Sequence, residues 1–213
     1  MFIIYTLIFA LQVANAKICA SYFKTQSLQN KEVVFVTGNP KKQNTIQWFL
    51  ERSNINASFK NDDVAEITAN SLNVAIHKAT SVYEPGKITV IDDTSLHIED
   101  ANIGPLIKWH VHKLDQYIGR KAKLEVIFAY YIDGRVKTFH ASLNGSIQSP
   151  TDKGRKGIDS YFVPDGYNVN IDTLRKQEVY DNVNPRLLAL EKLFKDKADY
   201  YSPAIYNWPG PWQ

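Results

Sequence analysis

Cysteine is almost absent: Cys19 is the only one in 213 residues. A single thiol excludes an intrachain disulfide and leaves the redox compartment open. Excess charge of one sign is lacking too. The net charge is +3 and the basic residues are spread along the chain with no block, so specific nucleic-acid binding is not expected. The apolar stretch Phe2 to Val13 falls short of the roughly 20 residues a standard transmembrane helix needs, so no stable membrane span is expected. No internal repeat is visible. What is there is 44% hydrophobic and 22% charged residues, a globular composition rather than a disordered one. The length suits one domain, or one domain with a small lobe, and is enough to bury a core.

Residues 1–16 stand apart. They carry no charged side chain, and Ala14-Asn15-Ala16 precedes Lys17 in a small-residue cleavage pattern. This is the pattern of a secretory signal peptide without its basic n-region; an uncleaved anchor and a mis-assigned start are the rival readings. The expected organisation is a signal peptide at 1–16, a leader at 17–31, an α/β domain at 32–198 and an aromatic, proline-rich tail at 199–213. A true signal peptide implies the secretory pathway or secretion, and its failure implies the cytoplasm. In a secreted chain, Asn56-Ala57-Ser58 and Asn144-Gly145-Ser146 would be glycosylation acceptor tripeptides.

Val33 to Val36 is an apolar, mostly β-branched run of strand length. It leads into Thr37-Gly38-Asn39, then Pro40-Lys41-Lys42. A strand, a polar glycine-containing turn and a helix start make a natural anion site, with two lysines adding charge; an ordinary strand–turn–helix with solvated lysines is the plainer reading. Ile46, Phe49 and Leu50 give the following helix one apolar face, and a short strand is expected at 57–60. Leu72, Ala75, Ile76, Ala79 and Val82 form a second helical stripe, with Lys78 off it. Ile88 to Ile91 reads as a buried strand ending at Asp92-Asp93-Thr94, which places acidic residues at the carboxyl end of a strand, the usual ligand edge of an α/β sheet.

Further on, Ile107, Val111, Leu114 and Ile118 predict an amphipathic helix. Leu124 to Ile132 and Arg135 to Ile147 predict a hairpin through Asp133-Gly134. A loop at 149–159, a turn at 164–166 and a short helix over 174–180 follow. Asn184-Pro185 reads as an N-cap with proline at the first helical position, and Leu187, Leu190 and Phe194 carry the last helix. Residues 200–213 show no helix or strand pattern. They are either disordered or laid across the domain surface. The order implies an α/β domain around a mixed, twisted sheet with flanking helices, with a ligand cleft between a mainly parallel half and the hairpin half.

Three features point to one kind of ligand. The Thr-Gly-Asn turn with its lysines could hold phosphate. Glu66 and the Asp92-Asp93 pair could hold a hard divalent cation. Lys78, Lys108 and Arg186 could neutralise phosphate or read a carbonyl. Taken alone, each is more simply a solvated strand end or helix face; their recurrence at strand ends and helix starts is the argument.

These residues resemble the inosine triphosphate pyrophosphatases, the non-canonical purine nucleoside triphosphate pyrophosphatases, from about Val33 to Phe194. The matching features are Val36-Thr37-Gly38-Asn39-x-Lys41-Lys42 after a strand, Glu66 before the second helix, and Lys78 within it. Asp92-Asp93-Thr94 is similar to the family's Glu-Asp-Thr. Gly104-Pro105-Leu106-Ile107-Lys108-Trp109 is similar to Gly-Pro-Tyr-Ile-Lys-Trp, and Phe162-x-Pro164-Asp165-Gly166-Tyr167 to Phe-x-Pro-Asp-Gly-Tyr. The resemblance implies two lobes with the nucleotide between them, usually in a homodimer. It implies Mg²⁺-dependent hydrolysis, with Mn²⁺ as a substitute, of a purine nucleoside triphosphate of the ITP, dITP and XTP class to the monophosphate and pyrophosphate. Thr37, Gly38, Asn39, Lys41 and Lys42 would hold the triphosphate, supported by Thr94, Lys78 and Lys108, with Lys42 also a catalytic candidate. Glu66 and Asp93 would ligate the metal, Asp93 doubling as the base for the attacking water. Asp159 and Arg186 would face the base.

The departures from the family sit together. Where it has Phe-Gly-Trp-Asp-Pro, this chain has Lys156-Gly157-Ile158-Asp159-Ser160. Tyr180 replaces an expected lysine, and Asn184-Pro185-Arg186 replaces Ser-His-Arg. Loss of a stacking ring removes about 1–3 kcal/mol of base binding. The phosphate and metal half is kept and the base-reading half is eroded, which implies relaxed base selectivity or, alternatively, a catalytically weak or inactive nucleotide-binding relative.

Overall fold

The computed structural model describes Leu28 and residues 31–152, 154 and 156–213; the expected signal peptide at 1–16 lies outside them. Strand β1 (Glu32–Val36) turns into helix α1 (Pro40–Ser53), then β2 (Ser58–Lys60) and α2 (Ser71–Ser81). The long strand β3 (Lys87–Ile98) folds back on β4 (Ala101–Gly104). A short α3 (Ile107–His110) and a 3₁₀ segment (Val111–Tyr117) lead to the hairpin β5 (Lys121–Ile132) and β6 (Arg135–Ile147). Short α4 (Ile158–Tyr161), β7 (Phe162–Pro164) and α5 (Ile171–Lys176), a 3₁₀ turn (Tyr180–Asn182), α6 (Pro185–Phe194) and β8 (Tyr200–Pro203) complete the order.

The eight strands make one mixed sheet with central order β2-β1-β3-β5-β6-β7, β4 lying on β3 and β8 on β6. Both neighbours of β1 are parallel to it, and the pairings from β3 through β5 to β6 are antiparallel. Side chains alternate across a strand, and the core divides accordingly. On one face α1 and α6 cover Phe35, Val90, Phe128 and Phe139. On the other, α2 covers Val36, Ile91, Ile127 and Ala129. A further cluster around Leu96, Leu124, Ile147 and Phe162 gathers α3, the first 3₁₀ segment and α5 at the far end of the long strands.

The hairpin turns where expected, with Asp133 at φ 49° and Gly134 at φ 81°, the left-handed pair of a type I′ turn. Five expectations are corrected. β3 does not end at Ile91 but runs through Asp92, Asp93 and Thr94 to Ile98, so the acidic pair lies within the strand, paired with β5. The helix expected from Ile107 to Ile118 is a single turn followed by 3₁₀ structure, interrupted at Lys113, and Ile118 is exposed. Val111, Leu114 and Tyr117 pack together on the far core, and a spacing of three suits three residues per turn. The short helix expected over 174–180 lies earlier: Asn170 caps it through Thr173 N, and Glu178, at φ 60°, is past its end. Lys78, off the apolar stripe of α2, is nevertheless buried. Residues 200–213 contain a strand after all, since Tyr200 to Pro203 pair with Arg135 to Thr138.

Candidate functional site

β1 stops with Val36 opposite Ile91, and β4 joins β3 only at Leu96. Along residues 92–95, β3 therefore has β5 on one side and, among the described residues, no strand on the other. The turn after β1 lies at this notch. Thr37, buried, donates its N–H to Lys60 O and accepts from Asn39 N through Oγ1 at 3.2 Å. Asn39 Oδ1 caps α1, accepting from Lys41 N at 2.9 Å and Lys42 N at 3.4 Å. Gly38 and Lys41 are exposed.

Consecutive residues of a strand point to opposite faces, and the two aspartates build two separate charge clusters. On the α1–α6 face, Asp92 is held by two cations. Lys42 Nζ lies 2.8 Å from Oδ1 and also donates to Asp92 O at 2.9 Å; Arg186 Nε donates to Oδ2 at 2.6 Å. Arg186 Nη2 donates to Thr94 Oγ1 at 2.9 Å. Burial alone would push the Asp92 carboxyl up, but Arg186 and Lys42 outweigh it and hold it well below the usual carboxylate range. Arg186 shows the mirror effect: burial pulls its pKa down, and Asp92 more than restores it. Asn184 Oδ1 accepts from Arg186 N at 3.1 Å and starts α6, so the cap and the guanidinium are set by adjacent residues.

On the α2 face, Lys78 Nζ donates to Glu66 Oε1 at 2.9 Å and to Asp93 Oδ1 at 3.1 Å. Burial would lower the Lys78 pKa, but Asp93 and Glu66 together keep it raised. The other oxygen of each carboxylate has no hydrogen-bond partner among the described residues. These two carboxylates are the groups that could hold a cation. Among the described residues no cluster of three or more His, Cys, Asp and Glu forms a dedicated metal cage.

The remaining expected residues are less gathered. Lys108 is exposed, 3.6 Å from Asp63 Oδ2, and lies over the Trp109 ring. Asp159 pairs with Arg175, Nε to Oδ2 at 3.3 Å, while Arg186 is committed to Asp92 and Thr94. Tyr180 is a core residue under the Arg175 guanidinium, 4.3 Å from its ring centroid, and burial foremost raises its pKa. The sequence reading passed over Asp92 as the partner of Lys42 and Arg186. Adjacent aspartates take opposite faces only if the strand continues through them, and a strand ending at Ile91 hides that. The sequence reading also passed over Arg175, which no local pattern marks.

Of known proteins, the model of the Ham1 family matches residues 33–196. The inosine triphosphate pyrophosphatase of Batrachochytrium dendrobatidis is 28% identical over 186 residues, covering 79% of this chain and 97% of the relative. Inosine triphosphate pyrophosphatase 1 of Trypanosoma cruzi is 27% identical over 179 residues, 77% of this chain and 91% of the relative. The Encephalitozoon intestinalis inosine triphosphate pyrophosphatase is 27% identical over 157 residues, 64% of this chain and 78% of the relative. The family match spans both charge clusters and the strands that carry them, and the chain belongs to the Ham1 family.

Proposed function

We propose that the protein is a Mg²⁺-dependent nucleoside triphosphate pyrophosphohydrolase of the ITP, dITP and XTP class, with relaxed base selectivity. The observation that carries the reading is the convergence of Glu66 and Asp93 on Lys78 beside the sheet notch. Mg²⁺ is usually bound through one or two carboxylates while substrate phosphates supply further oxygens. Glu66 and Asp93, each with an unbonded oxygen, fit that donor set. When bound, the metal supplies charge neutralisation across the phosphates.

The chain's own residues do the rest. The exposed backbone at Gly38 and the cations of Lys41 and Lys42 receive the triphosphate at the start of α1. Lys42 is fixed by Asp92, so its ammonium is positioned before substrate arrives and little is lost in ordering it. Lys78 offsets part of the negative charge of two carboxylates facing a polyanion. Asp93 takes the proton of the attacking water as the bond between the α- and β-phosphates breaks, leaving the monophosphate and pyrophosphate.

Relaxed selectivity is supported by the exposed Lys156 at the position of the family's stacking ring, by the burial of Tyr180, and by the commitment of Arg186 to Asp92 and Thr94. That last arrangement also favours the second reading, a weak or inactive nucleotide-binding relative. Pyrophosphate release by the purified protein with Mg²⁺, compared over ITP, XTP, dITP, ATP and GTP, decides between them. Asp93→Asn should lower kcat by about 10²–10⁴-fold, the usual contribution of a positioned base. Turnover no greater than that of the variant with every nucleotide rejects the enzyme, and comparable rates on ATP and ITP remove the inosine preference alone.

A further inference from the structure

Lys78 stands on α2 and Asp93 on β3, but Glu66 lies in the irregular stretch between β2 and α2. What holds that stretch is the segment 204–213, which lies beyond the residues matched by the family model. After β8, Ala204 and Ile205 pack on the core under α2. Trp212 then forms an antiparallel bridge with Ile67. Gln213 N donates to Glu66 O at 2.9 Å, Thr68 N donates to Pro211 O at 2.9 Å, and Gln213 Nε2 donates to Ile67 O at 3.0 Å. Among the described residues, these are the backbone hydrogen bonds of the stretch 61–69. The Trp212 ring also meets His77 edge-on at 5.1 Å. The segment therefore touches the residue before Lys78 as well as Glu66 and the two residues that follow it. Its own shape is braced by Trp208 Nε1, which donates to Pro211 O at 3.1 Å. The ring passes over Gly210 where a Cβ would come within 2.7 Å of that nitrogen.

We propose that Trp212 and Gln213 are positioning residues for Glu66, and that the carboxylate pair is set for its cation only when 211–213 is docked. The inference rests on the reading of Glu66 and Asp93 as cation ligands. A ligand carried on a loop has its geometry set by the groups that hold the loop. Loss of such outer partners commonly costs 10–100-fold in metal affinity or activity.

The test uses the full protein in four variants. Gln213→Pro removes the N–H given to Glu66 O, whereas Gln213→Ala keeps it. Trp212→Ala removes the ring on His77, whereas Trp212→Phe keeps one. Mn²⁺ binding followed by electron paramagnetic resonance, with and without inorganic pyrophosphate, reads the carboxylate pair without turnover. Pyrophosphate release against Mg²⁺ concentration reads it during turnover. Gln213→Pro and Trp212→Ala should weaken Mn²⁺ binding and raise the half-saturating Mg²⁺ about 10–100-fold. kcat at saturating Mg²⁺ should fall little, and exchange of the Thr68 amide should quicken. Gln213→Ala, which keeps the N–H but loses the Nε2 bond to Ile67 O, should weaken binding less than Gln213→Pro, and Trp212→Phe less than Trp212→Ala.

Unchanged Mn²⁺ binding in the two disruptive variants, with wild-type circular dichroism and with binding abolished in Glu66→Gln, overturns the inference. So does wild-type protein that binds no Mn²⁺ under either condition. The two readings fail separately. No turnover on any nucleotide together with the graded loss of Mn²⁺ removes the pyrophosphohydrolase and keeps the positioning role. Normal turnover with unaltered metal dependence in Gln213→Pro removes the positioning role alone.

Discussion

Lys78 shows why the carboxylate pair is tolerated inside the fold at all. Its side chain and those of Glu66 and Asp93 are 10%, 16% and 7% exposed, so each charge gives up most of its hydration. Such a triad persists because every member has an opposite charge within hydrogen-bonding distance; removing one partner of a buried pair typically costs about 3–5 kcal/mol. Gly38 makes the complementary case. It is not in the left-handed region, and a Cβ there would meet Asn61 Oδ1 and Asp62 O at 3.5 Å, ordinary contact. The fold does not require glycine at this position. Gly38→Ala should leave the urea midpoint unchanged or raise stability by about 0.4–1 kcal/mol through the unfolded chain. If the turn receives phosphate through close backbone approach, the same variant should raise KM for the triphosphate several-fold. A stable variant with unchanged KM would remove Gly38 from the site.

Among the elements, the strands carried the clearest sequence signals. Val33 to Val36, the Asp133-Gly134 hairpin and the Asn184-Pro185 helix start were legible because turn chemistry and apolar period agree locally. The site was legible only in part. Lys42, Glu66, Asp93 and Arg186 could be named from their positions at strand ends and helix starts, and Lys78 as a cation inside α2. Their division between two faces could not, because the end of β3 was misjudged: its far half packs on β4 and β5, partners remote in sequence. The role of 211–213 was hidden for a similar reason, since aromatic and proline residues give no periodic signal and the contacts span the whole domain. β6 and β7 offer a test of such a long-range constraint. A Cβ on Gly145 would lie 2.3 Å from Val163 O and 2.8 Å from the Phe162 ring, a core side chain. Gly145→Ala should therefore force β7 outward and lower stability by about 1–3 kcal/mol, the usual range for overpacking, read as a shift in urea midpoint at constant slope. A change below about 0.5 kcal/mol, the ordinary surface range, would mean that β7 is not held as closely as the register implies.

The molecule as a whole stakes its acid stability on both faces of one sheet. Asp92, on the α1–α6 face, is kept charged by Arg186 and Lys42 against the effect of burial. Glu125, on the α2 face, is held at about 2, below its ordinary 4.5, foremost by its hydrogen bond with the His97 ring, with Lys123 and Ser71 adding and burial opposing. In the unfolded chain both carboxyls titrate near their ordinary values, so as pH falls the unfolded state takes up protons before the native state does. Stability is then fully present above about pH 4.5 and is lost as pH falls through the window towards 2. Urea midpoints should be flat from neutral pH to about 5 and drop steeply below the ordinary carboxylate values. Glu125→Gln should remove part of that slope, because the amide cannot titrate. Asp92→Asn should lower the midpoint at neutral pH as well, because it leaves Arg186 and Lys42 facing a neutral group in a buried site. An acid limb identical in wild type and Glu125→Gln would place the acid sensitivity elsewhere and deny Glu125 a share in it.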